Sequence, residues 1–258
     1  MSELSSRDIE LFYRVSDIGG TGTAFSNPLL YRFLIRFLSP IVRFVFNIHY
    51  TGLERIPRKG PIILTSNHVS NLDPIFKILA ARRQVFYLAK EGHFQKQPNR
   101  FIMKSNGMIE TLRSEGGKDA LSRAHDVLKS GYAVGIFPEG TRSRSENAPF
   151  IQSGKTGVAR LSASFPKVPV FPISIIGSRE VMPPGANMIR FWKRVDVHIG
   201  EPVTFEEWLG STKGGNFSGE QLKSLVSIDK HGQSSILKSL YRKFTDQLMG
   251  TIVEMGAP

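Results

Sequence analysis

At 258 residues, 40% hydrophobic and 22% charged, the chain carries enough apolar material to bury a sizeable core and is not of disordered composition. It has no cysteine, which excludes disulfides, thiolate metal ligation and a cysteine nucleophile, and suits a reducing, cytosolic location. With 34 Lys+Arg against 22 Asp+Glu, the net charge of +12 favours an anionic partner: nucleic acid, lipid headgroups, phosphorylated metabolites or an acidic carrier protein.

Residues 1–28 are polar and include Glu3, Asp8, Glu10 and Asp17. They lack the basic start and apolar centre of a signal peptide and read as a loose arm. Residues 29–49 are apolar and aromatic, interrupted by Arg32, Arg36 and Arg43. Arginine at mid-membrane is expensive, so a full span is disfavoured. At ~100° per residue Arg36 falls ~40° and Arg43 ~20° from Arg32, giving a narrow basic stripe on an apolar helix. Such a helix lies in a membrane interface, its arginines at the phosphates; the competing reading packs it on the core. Pro40 is expected to kink or divide it.

From Tyr50 to Pro202 strands and helices alternate. The predicted strands are Ile62–Ser66, Val85–Ala89, Met108–Thr111, Ala133–Phe137 and Val168–Ile176. Between them lie predicted helices at Pro74–Arg82, Pro98–Ser105, Lys118–Ser130 and Lys155–Phe165. This order predicts an α/β fold with a mostly parallel sheet covered by helices on both faces. Arg190–Ile199 alternates with period two and reads as a late strand, antiparallel and at an edge. Residues 210–235, rich in Gly, Ser and Lys, read as a flexible loop before a C-terminal helix over 236–255.

The turn after the first predicted strand holds Asn67-His68-Val69-Ser70-Asn71-Leu72-Asp73. The carboxyl end of a strand is where open α/β sheets place their chemistry. Imidazole is largely neutral near pH 7, and a carboxylate on its other nitrogen makes it a better base. Ser70 and Asp73 also have the spacing of a helix capping pair, so Asp73 has both readings. A second turn, Phe137-Pro138-Glu139-Gly140-Thr141-Arg142-Ser143-Arg144, follows a later strand and suits an anion, because arginine's planar fork donates paired hydrogen bonds. Lys90 and Arg113 follow two further strands. The histidines have no metal-ligand spacing, Ser153-Gly154-Lys155-Thr156 lacks the first glycine of a nucleotide loop, and no Gly-x-Ser-x-Gly elbow is present.

The chain resembles the glycerolipid acyltransferases, in particular the bacterial-type 1-acylglycerol-3-phosphate (lysophosphatidate) acyltransferases. Four blocks carry this likeness in order: Asn67–Asp73 with its His-x-x-x-x-Asp, Gly107–Arg113, Phe137–Ser143, and Val168–Ile173 bracketed by prolines. The stretch Phe150–Lys155 departs from many relatives, which have a basic residue directly after the phenylalanine, and leaves the role of Lys155 open. The resemblance implies that His68 is a general base oriented by Asp73. Lys90, Gly107, Arg113, Glu139, Gly140, Thr141 and Arg142 would then bind the acceptor's phosphate. It implies transfer from acyl-CoA or acyl carrier protein to lysophosphatidic acid, with no metal or other cofactor. The enzyme would sit at the cytoplasmic face of a membrane, peripheral or monotopic, with membrane lipids as partners. Other lyso-acceptors, a nucleic-acid-binding protein and a non-catalytic membrane adaptor are the alternatives. Against the second, no nucleic-acid motif is present and the aromatics cluster on the apolar helix.

Overall fold

Ile62 to Ser66 are all buried, the mark of a strand covered on both faces, and this strand sits near the middle of a seven-stranded sheet. The structure is a computed structural model describing residues 4–26, 29–90, 108–111, 116–186 and 188–258. In chain order the described elements begin with α1 (Ser6–Ser16), α2 (Leu29–Val45), β1 (Ile48–Thr51), β2 (Ile62–Ser66), α3 (Asp73–Ala81) and β3 (Val85–Lys90). Then come β4 (Met108–Thr111), α4 (Gly116–Lys129), β5 (Ala133–Ile136), α5 (Gly157–Ser164), β6 (Val170–Ile176) and α6 (Ser178–Val181). The chain closes with β7 (Val195–Ile199), α7 (Phe205–Gly210), α8 (Gly219–Ser227) and α9 (Lys230–Glu254). The predicted helix at 98–105 falls outside the described residues.

The strand order is β1-β7-β6-β2-β5-β3-β4. Every pair is parallel except β6 and β7, so the mostly parallel sheet expected from the alternation is present. Successive residues of β2 enter opposite layers. Ile63 joins Val134 and Phe86 under α4, α5, α7 and α9, while Ile62 and Leu64 join Phe171, Ile173 and Phe76 under α2 and α3.

Five expectations are corrected. The late strand is antiparallel to β6, but it is internal, because β1 takes the edge beside it with Ile48 opposite Val195. Ile48 and His49, expected with the preceding helix, are the first two residues of β1. Asn47 ends that helix in the left-handed conformation (φ 47°), a position asparagine tolerates. Pro40, expected to kink or divide the helix, lies inside α2 and does not divide it.

The amino-terminal arm is not loose. Ser5 and Asp8 form a reciprocal capping box, and Phe12, fully buried, stacks on Phe205 at 5.6 Å. Thr21, Gly22 and Thr23 then donate four hydrogen bonds, three backbone and one hydroxyl, to the Asp126 carboxylate, strapping the segment to α4. Finally, residues 210–235 contain α8, capped by Ser218 and Gln221, and the start of α9, capped by Asp229. Their glycines and serines are the caps and turns of short helices, whose few apolar residues, Leu222 and Leu225, suffice to reach the core. Phe12→Ala is therefore expected to cost about 3–5 kcal/mol, measured by urea unfolding; an unchanged midpoint would mean that the arm is dispensable.

Candidate active site

His68 leaves the carboxyl end of β2, the strand between β5 and β6. Its neighbour Asn67 is fully buried and pairs with the backbone of β6. The amide donates to the Ile175 carbonyl and accepts from the Ile175 N–H, each at 2.9 Å. On the other side, the Ser143 N–H donates to the His68 carbonyl at 3.0 Å, and the His68 N–H donates to Glu139 Oε1 at 2.7 Å. The turn is thus sewn to both neighbouring strand ends, and the His68 backbone has little freedom.

Asp73 is the first residue of α3 and has no exposed surface. Its Oδ2 accepts from His68 Nδ1 at 2.9 Å, the Val69 N–H at 2.8 Å and the Ser70 N–H at 2.7 Å. A carboxylate only accepts, so Nδ1 carries the proton and Nε2 keeps the free lone pair. Asp73 thus bonds the imidazole and the turn backbone with one oxygen. It closes the turn into the helix, yet the reciprocal cap is not formed, because Ser70 Oγ accepts from the Leu72 N–H and donates to the Met182 carbonyl.

The His68 ring stacks on Phe137 at 3.8 Å, and its side chain is 16% exposed. Burial holds its pKa below the ordinary value; Asp73 pulls it upward, and the cations Lys77 and Arg142 push it down again. The ring is therefore neutral near pH 7 and ready to take a proton at Nε2.

Lys77 was not singled out from the sequence. It is fully buried, donates to the Ile136 carbonyl at 3.1 Å and stands 3.6 Å from the centre of the Phe137 ring. Phe137 therefore contacts the imidazole and the ammonium together. Burial lowers the Lys77 pKa well below the lysine range, against the charges of Asp73 and Glu139. The available signal was its position four residues after Asp73, which puts both on one side of α3.

Glu139 departs from its expected role as a phosphate contact. It is 2% exposed, with Oε1 accepting from His68 and Oε2 from the Gln152 N–H at 3.0 Å. Burial pushes its pKa up to about 7, opposed by those two donors. A carboxyl group so placed braces the His68 turn, with both oxygens already taken by backbone donors. Gly140 and Thr141 are exposed and Arg142 half-buried on the same turn, where Gly140 adopts φ 71°. A Cβ on Gly140 would stand 3.0 Å from the amine of Lys155, so that lysine lies over the turn, beside the residues expected to hold phosphate. Lys90 ends β3, which is parallel to β5 and β2, so its backbone reaches the same sheet edge as His68. Gly107 and Arg113 fall outside the described residues.

The arrangement sets a neutral imidazole with a fixed tautomer against an aromatic ring, beside a turn that carries Arg142. Known proteins can be set beside it. Residues 47–176, half the chain, match the family model described as Acyltransferase. The chain is 31% identical over 167 residues to the chloroplastic 1-acyl-sn-glycerol-3-phosphate acyltransferase of Arabidopsis thaliana, covering 61% of this chain and 44% of that protein. It is 26% identical over 176 residues to the 1-acyl-sn-glycerol-3-phosphate acyltransferase of Bacillus subtilis, covering 67% and 82%. The match thus spans less than half the length of the plant relative. The crystal structure of the 1-acyl-sn-glycerophosphate acyltransferase from Thermotoga maritima has the same fold, with a TM-score of 0.53 at 23% identity over 80% of this chain and 78% of that one. The matched region holds the His68–Asp73 turn and the arginine-bearing turn together, and this chain belongs to the Acyltransferase family.

Proposed function

We propose that this protein transfers a fatty acyl group from an acyl thioester to the 2-hydroxyl of 1-acylglycerol-3-phosphate, giving phosphatidic acid. The observation that carries this reading is the 2.9 Å His68–Asp73 bond within a turn hydrogen-bonded to the arginine-bearing loop. His68 Nε2 removes the hydroxyl proton as the oxygen attacks the thioester carbonyl. Asp73 holds the imidazolium that forms. The tetrahedral intermediate collapses by breaking the carbon–sulfur bond, and the thiolate leaves without needing a strong acid. Arg142, two residues after Gly140, and Lys155, whose amine lies over Gly140, attract the acceptor's phosphate. The names of the plant and Bacillus relatives support this acceptor.

The test is an assay of the purified protein with acyl-CoA and with acyl carrier protein, against lysophosphatidic acid, glycerol-3-phosphate and neutral-headgroup lysolipids. Phosphatidic acid as the main product is expected. Turnover confined to another acceptor, or none with either donor, would overturn the assignment.

Because acceptor and product are lipids, we place the enzyme at the cytoplasmic face of a membrane. Among the described residues no helix is long and apolar enough to cross one. On α2, Phe33, Phe37, Ile41 and Phe44 are each more than half exposed, and Arg32 and Arg36 are exposed beside them. Arg43 departs from its expected place at the lipid phosphates. It donates to the Leu79 carbonyl at 2.9 Å and covers the Tyr50 ring at 4.7 Å, locking α2 to the body. Phe33→Asp with Phe37→Asp is expected to release the protein from anionic vesicles in flotation with its melting temperature unchanged. Deleting the first 48 residues is a poorer test, since it would remove α1 from the core. Equal flotation of both proteins would exclude α2 as the anchor.

A further inference from the structure

The segment between α6 and β7 carries Met188, Phe191 and Trp192, which are 80%, 52% and 63% exposed. Trp192 holds φ 65°, a left-handed conformation that bulky residues seldom adopt. The backbone around it is pinned. The Arg190 N–H donates to the Val181 carbonyl at 2.8 Å, the Trp192 N–H to Val45 at 3.3 Å and the Val195 N–H to Asn47 at 3.2 Å. The indole meets Phe44 of α2 edge-on at 5.5 Å, and Phe191 leans on Phe46 at 5.8 Å. The strained tip therefore displays aromatic surface outward and continues the apolar face of α2.

Charge indicates what covers it. Arg32, Arg36, Arg190 and Lys193 are exposed, and no acidic residue stands in 29–53 or 182–194. Exposed basic residues beside aromatic side chains, with no acid in these two stretches, are complementary to an anionic lipid surface, where tryptophan settles at headgroup level. The chain leading to the tip is tied to the candidate site: Ser70 Oγ of the His68 turn donates to the Met182 carbonyl at 2.9 Å, and Arg179 donates to the Ser143 and Ser145 carbonyls.

We propose that the 188–193 tip is a second membrane-docking element, which together with α2 forms one surface seated on anionic lipid and holds the His68 edge at the bilayer. This rests on the reading of α2 as lipid-facing, and its readout is separate from acyl transfer.

The chain has two tryptophans, and Trp208 is buried with its Nε1–H on Gln247 at 2.6 Å, so a change of emission on binding reports Trp192. With phosphatidylcholine–phosphatidylglycerol vesicles, emission is expected to shift to the blue and to be quenched by lipids brominated near the headgroup end of the chain. Trp192→Phe loses both signals. Phe191→Ser with Trp192→Ser weakens vesicle affinity by roughly 10–100-fold with unchanged circular dichroism. Co-sedimentation of the wild type without shift or quenching would overturn the tip while leaving α2 as anchor. Absence of co-sedimentation would overturn both. A shift that follows protein concentration without lipid would also overturn it, by showing that a second copy covers the tip.

Discussion

His68→Ala in the purified protein is expected to lower kcat for acyl transfer by about 10²–10⁴-fold, the span that a positioned general base contributes. The fold should survive, because the contacts of this residue with Glu139 and Ser143 are made by its backbone. The wild-type rate has a pH dependence of definite sign. The base acts as the neutral ring, and burial lowers its pKa below 6.5, so kcat should rise through the mildly acidic range and level off by neutrality. The measurement is a pH–rate profile of both proteins with a melting curve at each pH. Near-normal turnover by the alanine variant would remove His68 from the mechanism.

Asp73→Ala is expected to damage both stability and activity. One buried oxygen accepts three donors, and its loss strands the N–H groups of Val69 and Ser70 inside the protein. Unsatisfied buried donors cost about 1–3 kcal/mol each, so urea unfolding should show a loss of about 3 kcal/mol or more. Asp73→Asn separates the two roles. Its amide oxygen still accepts from the backbone and restores part of the stability, whereas the weaker, neutral partner leaves the imidazolium uncompensated and kcat low. If the asparagine variant recovers stability and rate together, Asp73 is only a turn-former.

Sequence periodicity was enough to predict the layered α/β architecture, because a strand buried on both faces must be apolar throughout and a covering helix must repeat near 3.6. It was less reliable where elements are short. Strand β1 has four residues, too few to establish a period, and its place at the sheet edge exists only through pairing with Val195–Val197 and His198 far along the chain. The arm and the 210–235 region were misjudged for a related reason. Composition averages over a window, while Phe12 and Leu222 are single anchors whose burial is decided by what packs on them.

The site divides in the same way. Residue type and spacing singled out His68 and Asp73 as a candidate pair, since an imidazole and a carboxylate lie in one turn and are carried by local sequence. The arginine-bearing turn at 137–144 was legible from its own residues as an anion site, and the resemblance gave its residues their expected phosphate role. What tertiary structure alone decided is which partner each group meets. Glu139 stands five residues from Arg144 in sequence, but its carboxylate is used by the backbone of a turn 71 residues away. Lys77, unremarkable inside an apolar helix, becomes a buried amine against Phe137, on whose ring His68 also stacks. Arg43 shares a stripe with Arg32 and Arg36 by helical angle, yet is drawn inward by Leu79 and Tyr50. Local sequence sets conformation and chemical type, because those depend on neighbouring residues; burial and pairing depend on groups brought together only when the sheet closes.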